Sequence, residues 1–103
     1  MVIFSVILNY LRPLEEVNQH LESHKAWLVA NIKQARIILA GPLDDKSGGL
    51  VLANCADRQE LEQMMAHDSF ISSGVAEYHA HACSPALASL EFPQHWATQA
   101  KFL

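Results

Sequence analysis

The sequence predicts a small α+β domain of ferredoxin-like βαββαβ order. Three observations carry that expectation. Runs rich in Val, Ile and Leu alternate with segments of helical apolar spacing. Breaks bearing Gly, Pro and Asp separate these segments and leave only short connections. The chain has 103 residues, half of them hydrophobic and 17% charged, which suits one domain with its own core rather than a disordered segment.

Each element has its own signal. Val2–Leu8 reads as a strand apolar on both faces, hence buried on both. Pro13 suits the first turn of a helix. From there Leu14, Val17, Leu21, Leu28 and Ile32 fall along one stripe, so the spacing predicts a single helix over about Pro13–Gln34. Residues 36–40 form a second strand, stopped by Gly41-Pro42, and a polar turn over 44–49 leads into a third strand, Leu50–Cys55. Asp57 with Glu60 three residues on resembles a capping box, and Leu61, Met64 and Met65 supply the buried stripe of a short helix ending near His67. Asp68–Gly74 is expected to be a loop. Val75–Cys83 is the last strand, with Tyr78, Ala80 and Ala82 on one face and Glu77, His79 and His81 on the other.

Residues 1–83 thus form the domain, a four-stranded antiparallel sheet with two helices on one face. The other face would be left in water, and dimerisation through the sheets is the simplest cover. Residues 84–103, with Leu87, Leu90, Phe92, Trp96 and Phe102, are too apolar for a free end and are expected to dock on the core or on a partner subunit.

Composition narrows the function. The net charge is −4 and no Lys/Arg cluster is present, which disfavours nucleic acid and favours a small-molecule ligand or a protein partner. No apolar run reaches the roughly 20 residues of a membrane helix. No targeting pattern opens the chain. Cys55 and Cys83 lack zinc-site spacing and read as two free buried thiols in a reducing cytoplasm. Neither has a neighbouring base, so cysteine nucleophilic catalysis has little support. No Gly-rich phosphate loop is present and no cofactor is expected.

Two residues stand out for chemistry. His24 sits on the wheel beside Leu21 and Leu28, with His20 one turn before it and Trp27 on the same flank. An imidazole at the edge of a buried stripe is suited to general acid/base work. A core histidine bonded to backbone is the plainer alternative. Asp68 follows a helix C-terminus, where the dipole disfavours a carboxylate, so it needs compensation. A local turn is the plain source and a nearby imidazole the functional one. His20 and His24 have the i, i+4 spacing of a helical metal pair, and His79 and His81 share a strand face. The helical pair lacks its usual Glu, and spacing fixes no third ligand, so no metal site is expected.

Several segments carry a resemblance when taken in order. His24-Lys-Ala-Trp-Leu28 comes first, then Arg36-Ile-Ile-Leu-Ala-Gly-Pro-Leu43, Gly48-Gly-Leu50, Asp68-Ser-Phe70 and Gly74-Val75. Over about Val2–Cys83 the chain resembles the YCII-related (YciI-like) family of the dimeric α+β barrel group. The resemblance implies a ferredoxin-like homodimer or higher oligomer with a pocket holding a His-Asp pair, here His24 and Asp68. It also implies a cofactor-independent enzyme, a lyase or isomerase working by elimination or isomerisation on a ring compound. The alternative is a non-catalytic ligand-binding or accessory module with a vestigial pocket. Gly41, Pro42 and Phe70 fall in the matching motifs and are expected at the pocket. Arg12, His20, Trp27, Ser72 and Ser73 complete the candidate ligand contacts. One departure is clear: the family's Asp-Pro is Asp68-Ser69 here, so the proline that stiffens that loop is missing.

Overall fold

A computed structural model describes residues 1–103. The chain runs β1 (Val2–Tyr10), α1 (Leu14–Asn18), α2 (Leu21–Lys33), β2 (Ile37–Pro42), β3 (Gly48–Cys55), α3 (Arg58–Ala66), α4 (Ser69–Ser72) and β4 (Ala76–Cys83). A tail follows with β5 (Leu87–Ala88), a 3-10 turn (Gln94–Trp96) and β6 (Lys101–Phe102). The four long strands form one antiparallel sheet in the order β2-β3-β1-β4.

Register explains where the core lies. Cross-strand partners share a face, so Ala40, Val51, Val6 and Ala80 form one row and Ala53 and Phe4 another. These rows meet Val17, Trp27, Leu61, Met64, Met65 and Phe70 from the helices and make the core. The opposite face carries the rows Leu39–Leu52–Ser5–His81 and Gly41–Leu50–Ile7–His79. Leu39 there is about half exposed.

Gly48 is required by one close approach. A Cβ on it would lie 1.7 Å from the Leu8 carbonyl oxygen, so no other residue fits this end of the β1–β3 ladder. At α3, Asp57 accepts from the Glu60 N–H at 2.9 Å, while Glu60 reaches back to the Ala56 N–H.

The structure corrects the sequence reading in several places. The first helix is two helices, because the backbone at His20 (φ −108°, ψ 8°) leaves helical geometry. The His20 carbonyl accepts from the His24 N–H and also from the Ser69 hydroxyl, and Ser23 lies within hydrogen-bond reach of it too. Hydroxyls that compete for a helix carbonyl loosen the ladder. The buried stripe is also rotated: Leu14 and Ile32 are exposed, while Trp27 and Asn31 are buried. Trp27 Nε1–H donates to the Met64 carbonyl and Asn31 Nδ2–H to the Trp27 carbonyl, while Asn31 Oδ1 is buried without a partner. Gly41-Pro42 do not stop β2; they pair with Leu50 and Gly49 on the edge strand, where proline is tolerated. Residues 69–72, expected as loop, are helical. Cys83 is exposed rather than buried, whereas Cys55 is buried and its thiol is pushed up to about 11, by burial first and then by Glu60.

The tail closes on itself. Strands β5 and β6 pair in parallel, and the Leu90 N–H donates to the Leu103 carbonyl. Leu87 and Leu90 remain exposed, while Ala97 is buried.

Two helices end in the same way. After α4, Gly74 is left-handed (φ 77°), its N–H donates to Ile71 and the Val75 N–H to Phe70. After α2, Ala35 takes the same conformation (φ 60°), donating to Ile32, with Arg36 donating to Asn31. This is the Schellman pattern, which favours glycine at the left-handed position because a Cβ is strained there. Ala35→Gly is therefore expected to stabilise the fold by about 0.5–1 kcal/mol, read as a rise in Tm of roughly 2–6 °C. A fall in Tm would show that Ala35 carries no such strain.

Candidate functional site

The centre of the site is built from two helices. His24 stands in the first turn of α2, and Asp68 is the N-cap of α4. Asp68 is extended (φ −72°, ψ 125°), and its Oδ1 accepts the Phe70 N–H at 3.1 Å, the usual N-cap bond. The same oxygen lies 2.7 Å from His24 Nδ1. The sequence offered a local turn and an imidazole as alternative ways to compensate this carboxylate; the structure uses both on one atom. A carboxylate oxygen only accepts, so the contact places the imidazole proton on Nδ1. Nε2 is then the nitrogen left to meet a ligand.

Burial sharpens the pairing. The Asp68 side chain is 0% exposed and that of His24 12%. Asp68 Oδ2 is buried and has no hydrogen-bond partner within the protein. A carboxylate this dry depends heavily on the two N–H groups that reach its other oxygen. Phe70 fixes the imidazole from the side: the rings are stacked at 3.8 Å and 4°. Trp27 lies on the other flank at 5.9 Å.

His24 borders a cavity of about 320 Å³ between α2 and the sheet. That is the small end of the roughly 300–1,000 Å³ range of small-molecule sites. Leu21 and Leu28 of α2 face Leu8 and Val51 of the sheet across it, and Phe70 closes one end. Gly41 and Pro42, both exposed, also line it. Besides His24, the polar side chains on its wall are Tyr10 and Lys25.

Several candidate contacts lie elsewhere. Arg12 is exposed and paired with Glu16 at 2.8 Å. His20 serves as the N-cap of α2 through its carbonyl. Trp27 faces a second recess with Asn31 and Met64. Ser72 and Ser73 are exposed at the end of α4. Sequence reasoning missed Tyr10 and Lys25. Tyr10 follows the last apolar residue of its strand, and the period-2 alternation from Leu8 was the available signal. Lys25 looked like any solvated helix lysine.

The missing proline of the Asp-Pro motif has a physical substitute. The Ser69 hydroxyl donates to the His20 carbonyl at 3.1 Å, and Ser23 Oγ lies 2.7 Å from Ser69 Oγ. These bonds tie the start of α4 to the first turn of α2, one turn from His24. The backbone at Asp68 already has the extended geometry of a residue that precedes proline. Ser69→Ala should cost about 1 kcal/mol in stability, and Ser69→Pro less, because the ring restores stiffness at a first helical position. Melting curves of the two variants check this, and an Ala variant as stable as the parent would remove the tie.

Three sets of comparisons bear on this geometry. A structure of 5-chloro-2-hydroxyhydroquinone dehydrochlorinase from Burkholderia phenoliruptrix, in complex with 2,5-dihydroxybenzoquinone, is similar in fold. The TM-score is 0.68 at 20% identity, covering 82% of this chain and 95% of that one. No curated protein matches the sequence. No group of three His, Cys, Asp or Glu side chains is placed to share a metal ion, and no helix is long and apolar enough to cross a membrane. The YCII-related domain profile matches residues 3–81, most of the chain, and the chain belongs to the YCII-related domain family.

Proposed function

We propose that this chain is a small-molecule enzyme that uses His24 and Asp68 for acid/base chemistry on a ring compound, of elimination or isomerisation type. The observation that carries it is the 2.7 Å contact between a fully buried carboxylate and an imidazole that borders a cavity of ligand size. Asp68 holds His24 in one tautomer and one orientation, as an orienting carboxylate does for a general base. The dehydrochlorinase of similar fold binds a dihydroxyquinone ring, which supports ring compounds as the ligand class.

The chemistry follows from the free nitrogen. His24 Nε2 takes a proton from a ring carbon next to an activating carbonyl. In an elimination the C–H electron pair becomes a new double bond, and the leaving group departs with its own bonding pair, so that HX is lost overall. In an isomerisation the imidazolium returns the proton at another carbon. Neither route needs a cofactor. The free thiols of Cys55 and Cys83 fit a reducing compartment such as the cytoplasm.

Turnover of chlorinated hydroxyhydroquinones, followed by ultraviolet absorbance, tests the reading. His24→Ala is expected to lower kcat/KM by about 10²–10⁴-fold, the usual worth of a positioned base. Asp68→Asn keeps an oxygen for the Phe70 N–H but loses the charge that favours the correct tautomer, and is expected to lower turnover by at least about tenfold. Turnover indifferent to His24→Ala would remove the catalytic role, and ring binding with no turnover in the parent protein would favour a binding module.

The open sheet face is read as the seat of a second copy of the chain. Leu39 and Leu52, with Ile7 and Leu50, make an apolar centre that one copy leaves in water. Sedimentation should give a dimer, and Leu52→Glu a monomer; a monomeric parent at micromolar concentration would remove this assembly.

A further inference from the structure

The cavity's polar wall has a use beyond the imidazole. Its side chains are apolar or glycine except for Tyr10, His24 and Lys25. The side-chain hydrogen bonds and ion pairs that hold the fold use His24 but neither the Tyr10 hydroxyl nor the Lys25 ammonium. An apolar pocket with a few convergent polar groups takes its specificity from those groups. Two donors left over on such a wall are free to meet acceptors on a ligand.

We infer that Tyr10 and Lys25 are ligand-binding groups of this cavity, and that they select a planar ring carrying oxygens of which at least one is ionised. The inference rests on the reading that this cavity is the reaction site, and it names the ligand class and the residues that set it.

Geometry ties Tyr10 to the reacting centre. Its ring meets Phe70 edge to face, at 6.0 Å and 88°, and Phe70 in turn stacks flat on His24. Edge-to-face and offset-stacked pairs hold rings in defined orientations. Phenol and imidazole are therefore carried on one rigid aromatic frame, at fixed places along the wall. Burial raises the Tyr10 hydroxyl above its ordinary value, so it stays a donor through neutral and mildly alkaline pH. A phenol donor on the wall suits the oxygen that gains charge when His24 takes a proton from the neighbouring carbon.

Charge points the same way. Lys25 is the cation of this wall and is exposed at its rim, while Asp68 is sealed behind His24. Arg12, the other candidate cation, lies outside the cavity and is paired with Glu16. No carboxylate lines the cavity to repel an anion. A chain of net charge −4 thus presents a local positive rim to an anionic ring. Flat apolar walls of leucine, valine and phenylalanine receive the faces of that ring.

Calorimetric titration with 2,5-dihydroxybenzoquinone, ionised at neutral pH, tests the inference without needing turnover. The parent protein should bind it. Tyr10→Phe keeps the aromatic frame and should weaken binding about tenfold or more, the loss of a hydrogen bond to a charged group. Lys25→Gln, at an exposed position where folding is not at stake, should weaken binding several-fold and flatten its dependence on salt. No binding by the parent, or equal affinity in both variants, would overturn the inference. Failure of the catalytic reading is separately visible: turnover indifferent to His24→Ala, with the Tyr10→Phe and Lys25→Gln losses intact, leaves the ligand class standing.

Discussion

A fully buried carboxylic side chain bonded to an imidazole constrains everything around it. Asp68 is 0% exposed, and only Oδ1 has partners, the His24 imidazole and the Phe70 N–H. Removing either N–H from a group this dry exposes the whole desolvation cost of the carboxylate, which exceeds the net worth of an ordinary hydrogen bond. The segment from Met65 to Gly74 is arranged to set Asp68 against His24 and to deliver the Phe70 N–H. The Asp68 N–H closes the end of α3 by donating to Met65, its carbonyl starts α4, and its side chain caps that same helix. Gly74, left-handed, then turns the chain into β4. Because α4 is only one turn long, it has little stability of its own. Its cap, its packing on His24 through Phe70 and its glycine exit hold it in place.

The imidazole is constrained as tightly from its own side. Phe70 belongs to the helix that Asp68 caps, so one short helix and its N-cap supply both the ring stacked on His24 and the carboxylate bonded to it. Displacing α4 would break both contacts together. This coupling makes the orientation of His24 a property of the fold, and it explains how a ring 12% exposed can border a cavity and still be fixed.

Strong local periodicity or capping made much of this legible in the sequence. The strands are visible in their apolar alternation and α3 in its Asp57–Glu60 start, whereas the pairing of His24 with Asp68 is an expectation only of the family resemblance. The rest depended on tertiary contacts. The helix break at His20 has no proline or glycine to announce it, and the Ser69 hydroxyl that reaches its carbonyl comes from 49 residues away. The buried stripe of α2 departs from the apolar spacing because Trp27 and Asn31 look partly polar in sequence, yet the N–H groups of both side chains find backbone carbonyls inside the core. Tyr10 is reachable from the period-2 alternation of its strand, whereas Lys25 reaches the cavity only because α2 lies over the sheet, and no spacing within the helix states that.

The Asp68-Ser69 step shows how the same constraint can be met by different means. A proline after the aspartate limits the backbone covalently, holding the preceding residue extended and its side chain free to cap. Serine imposes no such limit, yet Asp68 is extended all the same. The order comes instead from the Ser69 hydroxyl, which is bonded to the first turn of α2 and so reports directly on the element that carries His24. A proline would stiffen the loop wherever the helix lay. The serine stiffens it only when the helix is in register, so the geometry of the imidazole and the geometry of the carboxylate become one cooperative unit. On this reading the departure from the family pattern shifts the origin of rigidity from the backbone to a side-chain network, and it leaves the distance between the two functional groups at 2.7 Å.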